Sequence, residues 1–269
     1  IDVTRVSAGG VDLTKRWHTI SPDDGNPDDA TVAQLLLPEP VAPGATLELQ
    51  LQFHIDLPGI WERTGRRDDF LAFAQWFPKL GVFEPPEAQP DAPANWNCPQ
   101  FHNKTEFYAE HGEYRVTLTL PAIYRGHVAG SGTLVSELQN ASSSLVTQVW
   151  EARGVHDFAW FADPDFVVER RTVTGEGIRD GGVVIELFLQ PEHRTLATRH
   201  LDPMEFGLRW YGRAFGPYPY ATIRAVDPQH NARDAGGMEY PTLIVCDARR
   251  LAPAHMATPE GVTLHGFGH

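Results

Sequence analysis

Residues 112–121 read GEYRVTLTLP. Tyr114, Val116, Leu118 and Leu120 fall at every second position, with Arg115, Thr117 and Thr119 between them. A period of two puts the apolar set on one face of an extended chain. The stretch therefore predicts a half-buried β-strand that ends at Pro121. The same alternation recurs on both sides of it. It runs through Leu47, Leu49, Leu51, Phe53 and Ile55 in ATLELQLQFHIDLP (45–58), and through SSLVTQVWEARGV (143–155) and GGVVIELFLQP (181–191). IDVTRVSAGGVDL (1–13) reads as a strand, a Gly-Gly turn and a second strand. PDDGNPDD (22–29), EPVAPGA (39–45) and IRDGG (178–182) supply turns between strands. No helical period runs through the first 190 residues, so packed antiparallel sheets are expected there.

The pattern changes near Pro191. Met204, Leu208, Tyr211 and Phe215 recur at helical spacing, with Asp202 placed to cap the helix, Pro203 as its first residue and Gly216-Pro217 to end it. A strand is expected in ATIRAVD (221–227), a loop in PQHNARDAGG (228–237) and one further strand in MEYPTLIVCDA (238–248). A last helix starts at Pro259, with Thr258 as its cap. The chain thus reads as an all-β part, residues 1–190, followed by an α/β part, residues 191–269.

The chain has 269 residues, 42% hydrophobic and 21% charged, with a formal net charge of −13. That acidic balance gives no electrostatic footprint for nucleic acid or for an anionic membrane. No apolar run approaches the ~20 residues of a membrane helix. Cys98 and Cys246 are compatible both with a pair and with two separate buried thiols. Asp23, Asp24, Asp28 and Asp29 lack the alternating ligands and closing Glu of a calcium loop, and read as a solvated turn. Asn103 and Asn140 begin glycosylation sequons. The chain opens on Ile1 within a strand pattern and stops on His269, and reads as cut at both ends.

Two stretches could carry chemistry. In TLHGFGH (263–269), His265 and His269 stand four apart. On a helix they share one face and can share one metal ion. The string is one change away from the zinc-peptidase signature H-E-x-x-H, whose Glu takes a proton from the zinc-bound water. Gly266 stands in that position. In DAGGMEYPTLI (234–244), Gly236 and Gly237 offer closely approachable backbone, and Glu239 follows on an expected strand. A carboxylate beside open strand backbone suits an extended peptide with a charged α-amine.

Taken in order, these motifs resemble the gluzincin aminopeptidases, the aminopeptidase N and leukotriene-hydrolase group, in which a G-x-M-E-N motif precedes H-E-x-x-H. FGPYPYATIRAV (215–226), QWFPKLGVFEP (75–85) and GEYRVTLTLPAIYRGHVAGSG (112–132) are also similar to segments of that family, in the same order. The resemblance implies a mainly β fold. It would comprise a saddle-shaped antiparallel β-sheet or sandwich domain lacking its first strands, then the opening of a thermolysin-like catalytic domain, truncated at the zinc-binding helix. It implies that Gly236, Gly237 and Met238 line the peptide-binding strand and that Glu239 grips the substrate's N-terminal amine. His265 and His269 would be the first two zinc ligands, and Tyr240 stands where many relatives have Asn. The family's third zinc ligand and its transition-state Tyr would lie past His269. The intact relative would cleave N-terminal residues from peptides. This chain is expected to bind zinc weakly or not at all and to be inactive, or to serve as a non-catalytic scaffold or peptide-binding module.

Overall fold

The computed structural model describes residues 1–60, 62–85, 94–102, 107–139, 143–246, 253 and 259–269. Asn103, Asn140 and Thr258 lie outside them. The first strands are β1 (Asp2–Ala8), β2 (Val11–Asp12), β3 (Trp17–Thr19), β4 (Ala33–Leu35), β5 (Leu49–His54), β6 (Gly65–Arg67), β7 (Phe70–Phe73), β8 (Val82–Glu84) and β9 (Asn95–Asn97). They are followed by β10 (Gly112–Pro121), β11 (Val128–Gly130), β12 (Thr133–Leu138), β13 (Leu145–Val155), β14 (Trp160–Ala162), β15 (Val167–Val173) and β16 (Val183–Leu189). Helix α1 (Ala197–Phe215), β17 (Thr222–Val226), β18 (Met238–Tyr240), β19 (Leu243–Val245) and helix α2 (Glu260–Gly268) complete the described elements. The chain is mainly β, and the described residues before 191 carry only short 3-10 turns beside their strands.

Two compact units form. The first comprises Ile1–Asp56 and Phe77–Glu110. In it β1 pairs antiparallel with both β2 and β5. The β1–β2 turn is Gly9-Gly10, with φ of 54° and 81°, a pair of positive values that glycine adopts without a Cβ clash. The acidic loop is more than a solvated turn. Asp23 accepts the Gln100 backbone N–H at 2.8 Å, and Asp29 accepts that of Phe101 at 3.0 Å. The Gln100 bond holds Asp23 below the usual carboxylate range, the Thr31 hydroxyl does the same for Asp29, and the Asp23 contact raises the His102 imidazole above its ordinary value.

The second unit comprises Leu57–Trp76 and His111–His269. One sheet runs β11-β14-β7-β6, another β10-β13-β12, and a third β15-β16-β17-β19-β18. Residue 191 falls between β16 and α1, within the connection that joins two parallel neighbours of the third sheet. Alternation along its strands sorts the core. Val183, Ile185, Leu187 and Leu189 of β16, Ile223 and Ala225 of β17 and Ile244 of β19 pack with Leu201, Met204 and Leu208 of α1. Phe188, Val226, Leu243 and Val245 face the other way, into a core with Phe70, Ala72, Ala129 and Phe161. The third sheet is therefore buried on both faces, which is why β16 reads as an almost continuous apolar run.

Two local expectations are corrected. Helix α1 begins at Ala197, six residues before Pro203, continuing from a 3-10 turn over Pro191–Leu196. Asp202 is not its cap; its carboxylate bonds Arg171 at 2.8 Å. Pro203 removes the N–H that would reach the Arg199 carbonyl, and tertiary contacts of the first turns offset that loss. His200 and Leu201 are buried, and Arg199 forks onto Glu260. At the other end, Phe215 does not join the buried stripe and stays 81% exposed. The described part of the stretch, residues 238–246, is not one strand either. Pro241-Thr242 breaks it into the β18–β19 hairpin, because Pro cannot donate to a ladder.

Candidate functional site

The hairpin registers Met238 opposite Val245, Glu239 opposite Ile244 and Tyr240 opposite Leu243. Met238 and Tyr240 lie in the core shared with Phe161. Glu239, between them, points to the opposite face, the one that carries Ile244 and the helices. Its side chain is 18% exposed. β18 is the last strand of its sheet, so one edge of its backbone has no strand neighbour among the described residues. Gly237 leads into it at φ 71°, donating to the Val245 carbonyl at 2.8 Å, and a Cβ there would meet nothing within 4 Å. Gly236, just before it, is half-buried. Backbone at this edge is thus open to close approach. Tyr240 is buried with its hydroxyl pushed upward by desolvation.

Helix α2 crosses this face. Thr263, Leu264 and Phe267 turn toward α1, and three contacts fix the helix there. Arg199 forks onto Glu260 at 2.5 and 2.8 Å, which holds the Glu260 carboxyl below its ordinary range at the positive end of the α2 dipole. His200 Nδ1 lies 2.9 Å from Thr263 Oγ1, which donates onward to Cys246 Sγ at 3.4 Å. Phe267 packs over Gly207 and against Tyr211 and Tyr218, with ring centroids 5.8 and 5.7 Å apart.

With α2 held this way, His265 and His269 stand side by side, ring centroids 4.8 Å apart. His269 Nδ1 lies 3.7 Å from Glu239 Oε1. The Cβ position of Gly266 lies 3.8 Å from Ile244, the cross-strand partner of Glu239. The structure thus brings Glu239, Gly266, His265 and His269 together at one sheet edge, with Gly237 opening the strand. Two imidazoles on one helix face can offer two nitrogen donors to one metal ion, and a catalytic zinc takes three protein ligands. Among the described residues no cluster of three or more His, Cys, Asp or Glu side chains is arranged to hold a metal ion. His200, Thr263 and Thr242 escaped the sequence reading. No periodicity marks them, because their roles lie in contacts across the fold.

No family model matches the chain, and no curated protein matches it by sequence. Solved structures do match. An M1 zinc metallopeptidase from Deinococcus radiodurans superposes with a TM-score of 0.61 at 18% identity, covering 98% of this chain and 53% of that one. A two-domain M1 zinc metallopeptidase variant bound to L-arginine gives 0.55 at 17% identity, covering 99% and 53%. Legionella pneumophila aminopeptidase A, in complex with aspartic acid, gives 0.55 at 11% identity, covering 91% and 25%. The fold is that of the N-terminal region of M1 zinc metallopeptidases. The chain spans about half the length of the Deinococcus enzyme.

Proposed function

We propose that this chain forms the amine-binding part of an aminopeptidase-like zinc site and that it does not itself turn over peptides. The observation that carries the proposal is the approach of the Glu239 carboxylate to within 3.7 Å of His269, at an open strand edge. A peptide laid along β18 in an extended conformation would set its N-terminal ammonium against Glu239, with Gly236, Gly237 and Met238 beside its backbone. His265 and His269 would supply two imidazole nitrogens to zinc. When bound, zinc supplies Lewis acidity to water and to the scissile carbonyl.

Position 266, where the zinc-peptidase signature has its base, holds glycine. Gly266 faces Ile244 beside Glu239, where a longer carboxylate side chain would reach the site, and glycine can neither accept nor pass on a proton. Loss of general acid–base help alone costs ~10²–10⁴-fold in rate. With two imidazoles as the donors among the described residues, zinc would be held weakly. Gly266 also favours a second reading, a non-catalytic peptide-binding module built on the same scaffold, which keeps Glu239 and the open edge and has no use for a base.

The test measures a dipeptide amide with a free amine against its N-acetylated form on the intact chain, together with zinc content and cleavage of an aminoacyl reporter. The free amine is expected to bind more tightly, with Glu239→Gln removing the difference. Zinc is expected to be substoichiometric and cleavage absent. Equal binding of the two peptides would sink the amine-binding role. Stoichiometric zinc or real turnover would refute the inactive reading.

A further inference from the structure

We propose that Thr242 is a positioning residue for the amine-binding strand, an inference that rests on the reading of Glu239 given above. Thr242 occupies φ 61°. A β-branched residue is a genuine outlier in that region. It is the second residue of the two-residue turn between β18 and β19, after Pro241. With Pro preceding a positive φ, this is the position where a turn ordinarily places Gly or Asn. Backbone comfort therefore does not explain a threonine.

Its side chain does. Thr242 is 5% exposed, and its Oγ1 accepts the buried Gly132 N–H at 2.7 Å. Its carbonyl accepts the Arg224 N–H at 2.9 Å. The partner side of this joint is closely packed and bonded. Gly132 sits at φ 75°, where a Cβ would lie 2.1 Å from the Glu151 carbonyl, so that corner has no room for a side chain. The Arg224 guanidinium, itself buried, bonds the Gly130 and Gly132 carbonyls at 3.1 and 2.6 Å and Glu186 at 2.8 Å, and stacks 4.9 Å from the Trp150 ring. Thr242 thus pins the hairpin tip to the β11–β12 corner. Glu239 is three residues away across a two-residue turn whose flanking residues are paired, so the pin sets the rotation of β18 and the direction of the Glu239 carboxylate.

The test compares Thr242→Ser, Thr242→Val and Thr242→Gly in the full chain. The readout is the ratio of affinities for a free-amine dipeptide amide and its N-acetylated form, with folding checked by circular dichroism at the assay temperature. A merely structural role would lower the melting temperature and leave that ratio unchanged in the folded protein. Losing one buried hydrogen bond corresponds to a ~3–10-fold change. Thr242→Ser, which keeps the oxygen, is expected to hold the ratio within ~2-fold of the parent. Thr242→Val and Thr242→Gly are expected to lower it ~3–10-fold, and the glycine variant, free of backbone strain, covers the case in which valine fails to fold. If Glu239→Gln abolishes the preference while both the valine and glycine variants keep it, Thr242 is not a positioning residue. If the parent chain itself shows no preference, the Glu239 reading fails and this inference falls with it.

Discussion

Gly207 of α1 lies directly beneath Phe267 of α2: a Cβ at residue 207 would stand 2.6 Å from the Phe267 ring and 3.1 Å from Leu264. The two helices approach this closely only because α1 has no side chain at that point. Phe267 sits between His265 and His269, so the contact also fixes how far the histidines stand from the sheet. Gly207→Val is expected to overpack the joint and destabilise the chain by about 2 kcal/mol, within the usual range for such changes. Denaturant unfolding checks the loss, and nickel binding by the histidine pair should weaken with it.

Acid should loosen the same joint. Burial pushes the His200 imidazole down to about 4 from its ordinary 6.5, and its Nε2 has no hydrogen-bond partner among the described residues. The folded chain therefore keeps His200 neutral while the unfolded chain protonates it. Between pH 6.5 and 4 the unfolded state binds the extra proton, so stability falls as pH falls through that window. At pH 5 the loss from this one group is about 2 kcal/mol relative to pH 7. Urea titrations at the two values should show it, and His200→Gln should flatten that part of the profile.

Arg224 is expected to be among the most sensitive positions. Its guanidinium is 4% exposed and is bonded to two carbonyls and Glu186. Arg224→Met leaves Glu186 with Arg170, whose Nε is 2.8 Å away, so no carboxylate is stranded. The cost falls on the Gly130 and Gly132 carbonyls and comes to about 2–3 kcal/mol. Chemical unfolding measures it. A loss under 1 kcal/mol would mean that the corner finds other donors.

In the first unit, Asp23→Ala should act locally. It removes the acceptor for the Gln100 N–H but leaves Phe101 held by Asp29 and Thr31. Amide hydrogen exchange should therefore rise at Gln100 and stay nearly unchanged at Phe101. Equal rises at both would show that the acidic loop acts as one unit.

Gly266→Glu should be tolerated. The Cβ site is 3.8 Å from Ile244, ordinary contact, and Glu is the better helix former by roughly 0.5 kcal/mol or more. The melting temperature should hold or rise slightly. A marked fall would show that the position was closed to a longer side chain.

The sequence by itself determined the strands and the order of the motifs. β1, β5, β10, β13 and β16 all lie within stretches where apolar residues alternate or run continuously, because side-chain direction in an extended chain follows from the local backbone. The i, i+4 spacing of His265 and His269 likewise fixed their shared helix face. Other features were not legible. Pro203 reads as a helix start, yet it lies inside α1, since contacts of Arg199 and His200 with α2, some sixty residues on, outweigh the lost backbone bond. MEYPTLIVCDA reads as one strand; Pro241 interrupts its ladder, and Gly132 and Arg224 receive the resulting turn. Whether Glu239 faces the helices or the opposite core depends on its register with Ile244. Tertiary structure decided these points because each depends on which distant residues pack against the segment, and no local period encodes that.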